Sequence, residues 1–296
     1  MKQYLGIDIG GTSIKYGLYN AEGDALQEGR ETPSTNGTFD EMLAILYDII
    51  RQFPAIDGIG VSVPGGVHKD TGIIIEGGAC EALAEKDLRL ILQEKFGLPV
   101  SIGNDANCAI LAELWRGNGR GCKHFICVTV GTGIGGAIVI DGKLYWGAHS
   151  HSGEFGFMLQ HNGKQHEALH DTAATTSFLQ RLRDETDTDI HSGSDLFAAL
   201  DDANVKKMYD AWVEQLARGI YNIAVCFDPE KILLGGGVSA QARLIADLNT
   251  ALENMKEFPF HWAIESCFFR NDAGKIGAIY QLLHEPGKLN SRGNCQ

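Results

Sequence analysis

Apolar and polar positions along the chain fall into strand-like runs, broken by glycine turns, and longer stretches of helical period. Tyr4 to Ile9 is a short apolar run that reaches Gly10-Gly11-Thr12, and Ile14 to Tyr19 resumes it before the turn Ala21-Glu22-Gly23-Asp24. This predicts a hairpin with a glycine-rich bend. The arrangement recurs midway as Phe125 to Val130, Gly131-Thr132-Gly133, Gly136 to Ile140 and the turn Asp141-Gly142-Lys143. The chain therefore reads as duplicated, and two such halves facing one cleft would grip a polyphosphate from both sides. Between the hairpins the pattern predicts an amphipathic helix from Phe39 to Phe53, a buried strand from Gly58 to Val63 and a glycine-rich loop opening with Pro64-Gly65-Gly66. Residues 87–96 read as a helix, Pro99 to Ile102 as a strand, and Asn104 to Trp115 as a helix capped by Asn104. Beyond the second hairpin, residues 171–185, 194–200 and 204–226 read as helices and Lys231 to Leu234 as a strand, with Ser239 capping a helix that runs to about Met255. The tail, residues 285–296, is polar with proline and glycine and is expected to be disordered. The class is alternating α/β, with an N-terminal lobe over residues 1–107 and a helix-rich lobe over 108–284.

The length of 296 residues fits two lobes with a cleft, and 44% hydrophobic with 21% charged residues is ordinary globular composition. The opening MKQYLGIDIGG lacks the apolar core of a signal peptide and no run approaches bilayer length, so the expected location is the cytoplasm. Seven cysteines with no CxxC pair, most of them in apolar stretches, read as small core residues rather than a zinc or redox site. A net charge of −13 argues against nucleic acid as a partner. It does not argue against a bound nucleotide, which needs local backbone N–H groups, one basic side chain and Mg²⁺ rather than a basic surface.

Five segments carry candidate chemistry. In Asp8-Ile9-Gly10-Gly11-Thr12 the glycines allow close approach of an anion, Thr12 can donate a hydroxyl, Lys15 can reach a terminal phosphate and Asp8 can hold Mg²⁺ through water; the same residues also suit a plain hairpin turn. Gly131-Thr132-Gly133-Ile134-Gly135-Gly136 matches a dinucleotide-binding fingerprint, but β-branched residues and an Asp-Gly turn follow where that fingerprint needs a helix, so a phosphate-gripping hairpin fits better. Asn104-Asp105 sits where a strand meets a helix N-terminus, which favours an ionised Asp105 able to orient a hydroxyl and take its proton, or simply caps the helix. Leu234-Gly235-Gly236-Gly237 is a strand-to-helix bend open to a base or ribose, or a tight turn. Glu154, in Gly153-Glu154-Phe155-Gly156-Phe157, sets one acid among aromatics, a wall suited to a sugar or a surface loop with packed rings. His149, His151, His161, His166 and His170 crowd one stretch, but their irregular spacing gives a metal site little support.

Taken together, IDIGGTSIKYGL, GIGVSVPGGV, NDANCAILAE, VTVGTGIGGAIV, GEFGFM and DPEKILLGGGVS resemble, in order and spacing, the ROK (repressor, ORF, kinase) family of sugar kinases and sugar-responsive repressors, from Gly6 to about Leu283. The resemblance implies a duplicated actin-like, ribonuclease-H-like ATPase fold with ATP between its lobes. It implies Asp105 as catalytic base and sugar contacts from Gly65, Asn104, Asp105 and Glu154. Phe157 stands where the family usually has histidine, and HNGKQHEALHDTAATTSF replaces the cysteine-rich zinc segment. No structural zinc is therefore expected, and the sugar's anomeric end is less tightly held, leaving room for an aglycone. These features resemble the β-glucoside kinase type, which phosphorylates the 6-hydroxyl of a non-reducing glucose such as that of cellobiose. A kinase for free glucose, fructose or N-acetylmannosamine, and a non-catalytic sugar sensor, are the other readings. Repressors of the family carry a helix-turn-helix before the first glycine turn, whereas seven residues precede Asp8 here. Family members are often dimeric, so a homodimer is compatible with the resemblance.

Overall fold

The structure, a computed structural model, describes residues 1–34, 37–161, 166–255 and 261–284. In chain order its elements are β1 (Gln3–Ile9), β2 (Ser13–Asn20), β3 (Ala25–Pro33), α1 (Phe39–Arg51), β4 (Gly58–Val63), α2 (Leu88–Phe96), β5 (Val100–Asn104), α3 (Asp105–Arg116), β6 (Phe125–Val130), β7 (Ile134–Ile140) and β8 (Lys143–Leu144). There follow β9 (Leu159–His161), β10 (His166–Ala168), α4 (Leu169–Ala173), α5 (Thr175–Thr186), α6 (Gly193–Ala198), α7 (Ala203–Phe227), β11 (Lys231–Gly235), α8 (Ala242–Asn254), β12 (Ile264–Ser266) and α9 (Ala273–His284). They form two compact units: residues 1–120 with 146–152 and the segment from 271, and residues 121–145 with 153–270. A boundary at 107/108 would cut α3, which lies whole in the first unit together with α9.

Each unit is built on a five-stranded sheet of one plan. In the first the order is β3-β2-β1-β4-β5, in the second β8-β7-β6-β11-β12. In both, an antiparallel meander of three strands is extended past its first strand by two parallel ones. This repeated topology is the duplication that the two glycine hairpins predicted, in the actin-like form that the family resemblance implied. Strands in the parallel half are covered on both faces and so carry β-branched and small residues rather than alternating charged ones; β4 is buried at every position.

One face of the first sheet buries Leu5, Ile7, Ile9, Ile59, Val61 and Val63 against Met42, Leu46 and Ile49 of α1. A reciprocal capping box between Thr38 and Glu41 starts that helix. The opposite face presents Gly6 of β1 and Gly58 and Gly60 of β4 to α9, close enough that a methyl group at Gly60 would lie 2.6 Å from the carbonyl carbon of Ala278. In the second unit α7 supplies the centre of the core: Trp212 stacks on Phe178 with ring centroids 4.8 Å apart, and its indole N–H donates to the Ala173 carbonyl at 2.9 Å.

Several elements differ from the sequence expectation. The helix expected over 171–185 is broken at Ala174, whose ψ of 147° is extended, giving α4 and α5. Ser239 does not cap α8: its hydroxyl donates to the Gly236 carbonyl at 2.8 Å inside a short 3₁₀ turn, and α8 begins only after Gln241. β3, β12 and α9 carried no predicted element. Cys80, Cys108, Cys127 and Cys267 are buried as expected of core thiols, while Cys226 is exposed on α7. The tail from 285 lies outside the described residues. Among the described residues no helix is long and apolar enough to cross a membrane.

Candidate active site

In the first unit the β1–β2 register sets Asp8 opposite Lys15, and the turn between them closes with the Gly10 N–H donating to the Ser13 carbonyl at 2.9 Å. Thr12 is exposed at the tip, and its carbonyl accepts from the Ser34 N–H at 3.1 Å. The partly buried Asp8 carboxylate abuts the first turn of α9, where a methyl group on Gly274 would lie 2.4 Å from Oδ1. Burial pushes the Asp8 pKa up, and the Ser62 hydroxyl and the Lys15 and Lys275 ammonium groups reduce that effect. Lys275, 3% exposed, pairs with Asp272 at 2.7 Å. Sequence patterning did not single out Ser62, Asp272 or Lys275. The signal for Lys275 was weak, a lone cation among small residues in Ala273-Gly274-Lys275-Ile276-Gly277-Ala278.

A raised carboxyl pKa has a definite consequence for stability. The folded state then binds more protons than the unfolded chain between the ordinary carboxylate pKa and the raised one, so Asp8 lowers stability progressively as pH rises through that window, and fully above it. Asp8→Asn is therefore expected to stabilise the ligand-free protein at neutral pH, with the gain shrinking as pH falls toward the ordinary carboxylate range. Urea unfolding of both proteins across that range checks this, and an equal midpoint difference at every pH would contradict it.

The second group of the first unit surrounds the start of α3. Asn104 caps the helix, its Oδ1 accepting from the Asn107 N–H at 3.0 Å. Its amide nitrogen donates to the Gly65 carbonyl at 2.8 Å and to Asp105 Oδ1 at 3.0 Å. Asp105 Oδ1 also accepts from the Ala106 N–H at 2.7 Å, and the side chain is exposed at the end of β5. Gly65 has φ of +84°, a left-handed conformation that a side chain would strain, and a Cβ there would lie 2.1 Å from the Glu76 carbonyl oxygen. The structure thus brings Gly65, Asn104 and Asp105 into one hydrogen-bonded shelf.

In the second unit the hairpin turn is pinned from behind by α5: the Thr176 hydroxyl donates to the Thr132 carbonyl at 2.6 Å, and the Gly131 N–H to the Gly133 carbonyl at 2.9 Å. Gly236, with φ of +87°, lies so close to β6 that a Cβ would stand 2.1 Å from the Val130 carbonyl. This sets Gly236 and the exposed Gly237 beside Gly131-Thr132-Gly133, with Gly135 on β7. Glu154 is half-buried; Gly153 and Phe155 on either side pack against Gly136 of β7 and fix its backbone. Phe157 closes this turn and is 73% exposed, nearly parallel to the His170 ring with centroids 6.2 Å apart. The His161 side chain lies outside the described residues, among which no three His, Cys, Asp or Glu side chains gather as a metal site.

This double set of glycine hairpins on a duplicated sheet, with a carboxylate at a helix start, defines a phosphotransferase of the actin-like class. The model of the ROK family matches residues 4–285, and the chain belongs to that family. It is 34% identical to a beta-glucoside kinase of Listeria monocytogenes, covering 95% of this chain and 97% of that one, and 31% identical to one of Klebsiella pneumoniae, covering 94% and 96%. A solved ROK family protein from Streptococcus pneumoniae in complex with sucrose superposes with a TM-score of 0.88 at 29% identity, covering 97% of this chain and 99% of that one.

Proposed function

We propose that the chain is an ATP-dependent kinase of β-glucosides such as cellobiose, acting in the cytoplasm on the 6-hydroxyl of the non-reducing glucose. The observation that carries the catalytic assignment is the fixed Asp105 carboxylate on the Gly65–Asn104 shelf. Asn104 and the Ala106 N–H hold it by Oδ1 at the start of α3. As the sugar oxygen bonds to the γ-phosphorus and the bond from that phosphorus to the β–γ bridging oxygen breaks, Asp105 takes the hydroxyl proton and ADP leaves with the bridging oxygen. Backbone N–H groups at Gly11 and Thr12, with Lys15, offer donors to phosphate oxygens in the first unit, while Gly10, whose own N–H closes the turn, keeps the bend small enough for close approach. Gly131, Thr132, Gly133, Gly135, Gly236 and Gly237 supply the nucleotide contacts of the second, and Glu154 takes sugar hydroxyls.

Mg²⁺ favours one or two carboxylates with retained waters, which suits Asp8 beside the turn whose tip, Thr12, is exposed. When bound it would neutralise phosphate charge. The open anomeric end is consistent with Phe157, an exposed ring in place of a polar ligand.

Coupled-assay turnover with ATP and Mg²⁺ against glucose, cellobiose, gentiobiose, fructose and N-acetylmannosamine at matched concentration tests this. Disaccharide preference is the expected result. Monosaccharide preference would keep the kinase and remove the aglycone argument, and no turnover with any sugar would favour a sugar sensor.

A further inference from the structure

Two side chains that the transfer chemistry leaves unassigned stand beside the Gly65–Asn104–Asp105 shelf. Residues 146–152 belong to the first unit although the chain on either side belongs to the second. They are anchored there by the Lys69 N–H, which donates at 3.0 Å to the hydroxyl of Ser150, a buried residue in the left-handed conformation at φ of +62°. His151 follows. Its Nδ1 lies 2.6 Å from the His149 carbonyl oxygen, which can only accept, so Nδ1 carries a proton and Nε2 is the edge turned toward Glu76, 3.5 Å from Oε1.

The pair sits directly over the acceptor loop. A methyl group on Gly66 would lie 3.2 Å from His151 Nε2 and 3.6 Å from Glu76 Oε1, and the Ile75 N–H donates to the Gly66 carbonyl at 2.8 Å. The Glu76 backbone in turn presses against Gly65, whose carbonyl holds Asn104. A continuous path of contacts thus runs from Asp105 through Asn104 and Gly65 to Glu76 and His151, all within one unit. With side chains 61% and 38% exposed, Glu76 and His151 occupy its outer end. An exposed contact of this kind contributes little to stability. A carboxylate beside an imidazole edge is, however, apt equipment for adjacent hydroxyls, each oxygen of which both donates and accepts.

Resting on the kinase reading, we propose that Glu76 and His151 form a hydroxyl-binding subsite for the second sugar ring of a β-linked disaccharide and so determine acceptor specificity. The ring to be phosphorylated occupies the inner shelf at Asp105, and the pair reads hydroxyls of the ring beyond it. The absence of a side chain at Gly66 is what lets His151 and Glu76 stand together over the loop.

The test uses Glu76→Ala and His151→Ala in the full chain, with steady-state kinetics on cellobiose and glucose and calorimetric titration of cellobiose without ATP. Each variant is expected to raise the KM for cellobiose about tenfold, the order of one hydrogen bond to a charged group, with kcat and the KM for glucose within about twofold of the parent. Cellobiose binding by calorimetry should weaken by the same factor. Unchanged KM for both sugars, or an equal rise for both, would overturn the subsite. Should the parent phosphorylate neither sugar, the kinase reading falls while calorimetry still decides: weaker cellobiose binding in the variants sustains the subsite, and unchanged or undetectable binding in the parent and variants removes it.

Discussion

Replacing Asp105 by alanine is expected to reduce sugar phosphorylation by about a thousandfold, in the middle of the range for losing a general base, while ATP affinity changes by less than about threefold. The side chain has two structural duties, accepting from the Ala106 N–H and from the Asn104 amide. Loss of either is modest, because Asn104 itself supplies the N-cap through its contact with the Asn107 N–H. Asp105→Asn separates the duties from the chemistry. An asparagine keeps an oxygen for the Ala106 N–H but cannot take a proton, so its turnover should fall nearly as far as the alanine variant's with unfolding closer to the parent's. Coupled-assay kcat, calorimetric ATP binding and urea unfolding on the three proteins check this. Near-normal turnover in either variant would remove Asp105 from the base role, and a collapse of ATP binding would make its role structural.

The parts of this molecule that were legible in the sequence share a physical property: each is specified by neighbours in the chain. The two hairpins announce themselves by apolar runs meeting at glycines, β4 by a hexamer of β-branched and small residues with no charge, and the start of α3 by an Asn cap between a strand and a helical period. β3 was not legible because it is a polar strand at the sheet edge, Ala25 to Pro33, whose exposed positions interrupt any alternation. α9 was hidden for a different reason. It buries Lys275 and carries Gly274 and Gly277, so its composition argues against a helix while the glycines of β1 and β4 make room for it. The break at Ala174 leaves no local sign, since alanine favours either helix. At the candidate site, Gly65 and Asp105 could be picked out as separate motifs. The roles of Ser62, Glu76, His151 and Lys275 depend on long-range contacts that no local pattern encodes.

The second large effect follows from that hidden helix. Gly277→Ala is expected to destabilise the protein by about 3 kcal/mol, at the upper end of the usual overpacking cost. A methyl group at position 277 would stand 1.7 Å from the Cys108 carbonyl oxygen and 2.4 Å from its carbonyl carbon, both in the backbone of α3. No side chain can rotate away to relieve such a contact, so the helices must part. α9 cannot simply retreat, because its other side lies against β1 and β4, where Gly60 already brings the Ala278 backbone within a methyl's reach. The intrinsic preference of a helix for alanine over glycine opposes the loss by about 1 kcal/mol, too little to reverse it. Urea unfolding measures the net change, and a midpoint equal to or above the parent's would show that α3 and α9 have slack at this crossing. If they separate as expected, Gly274 and Lys275 shift with the helix relative to Asp8 and disturb its contacts. The variant should then lose ATP affinity in proportion to its loss of packing, a coupling that a surface substitution of equal helical preference would not produce.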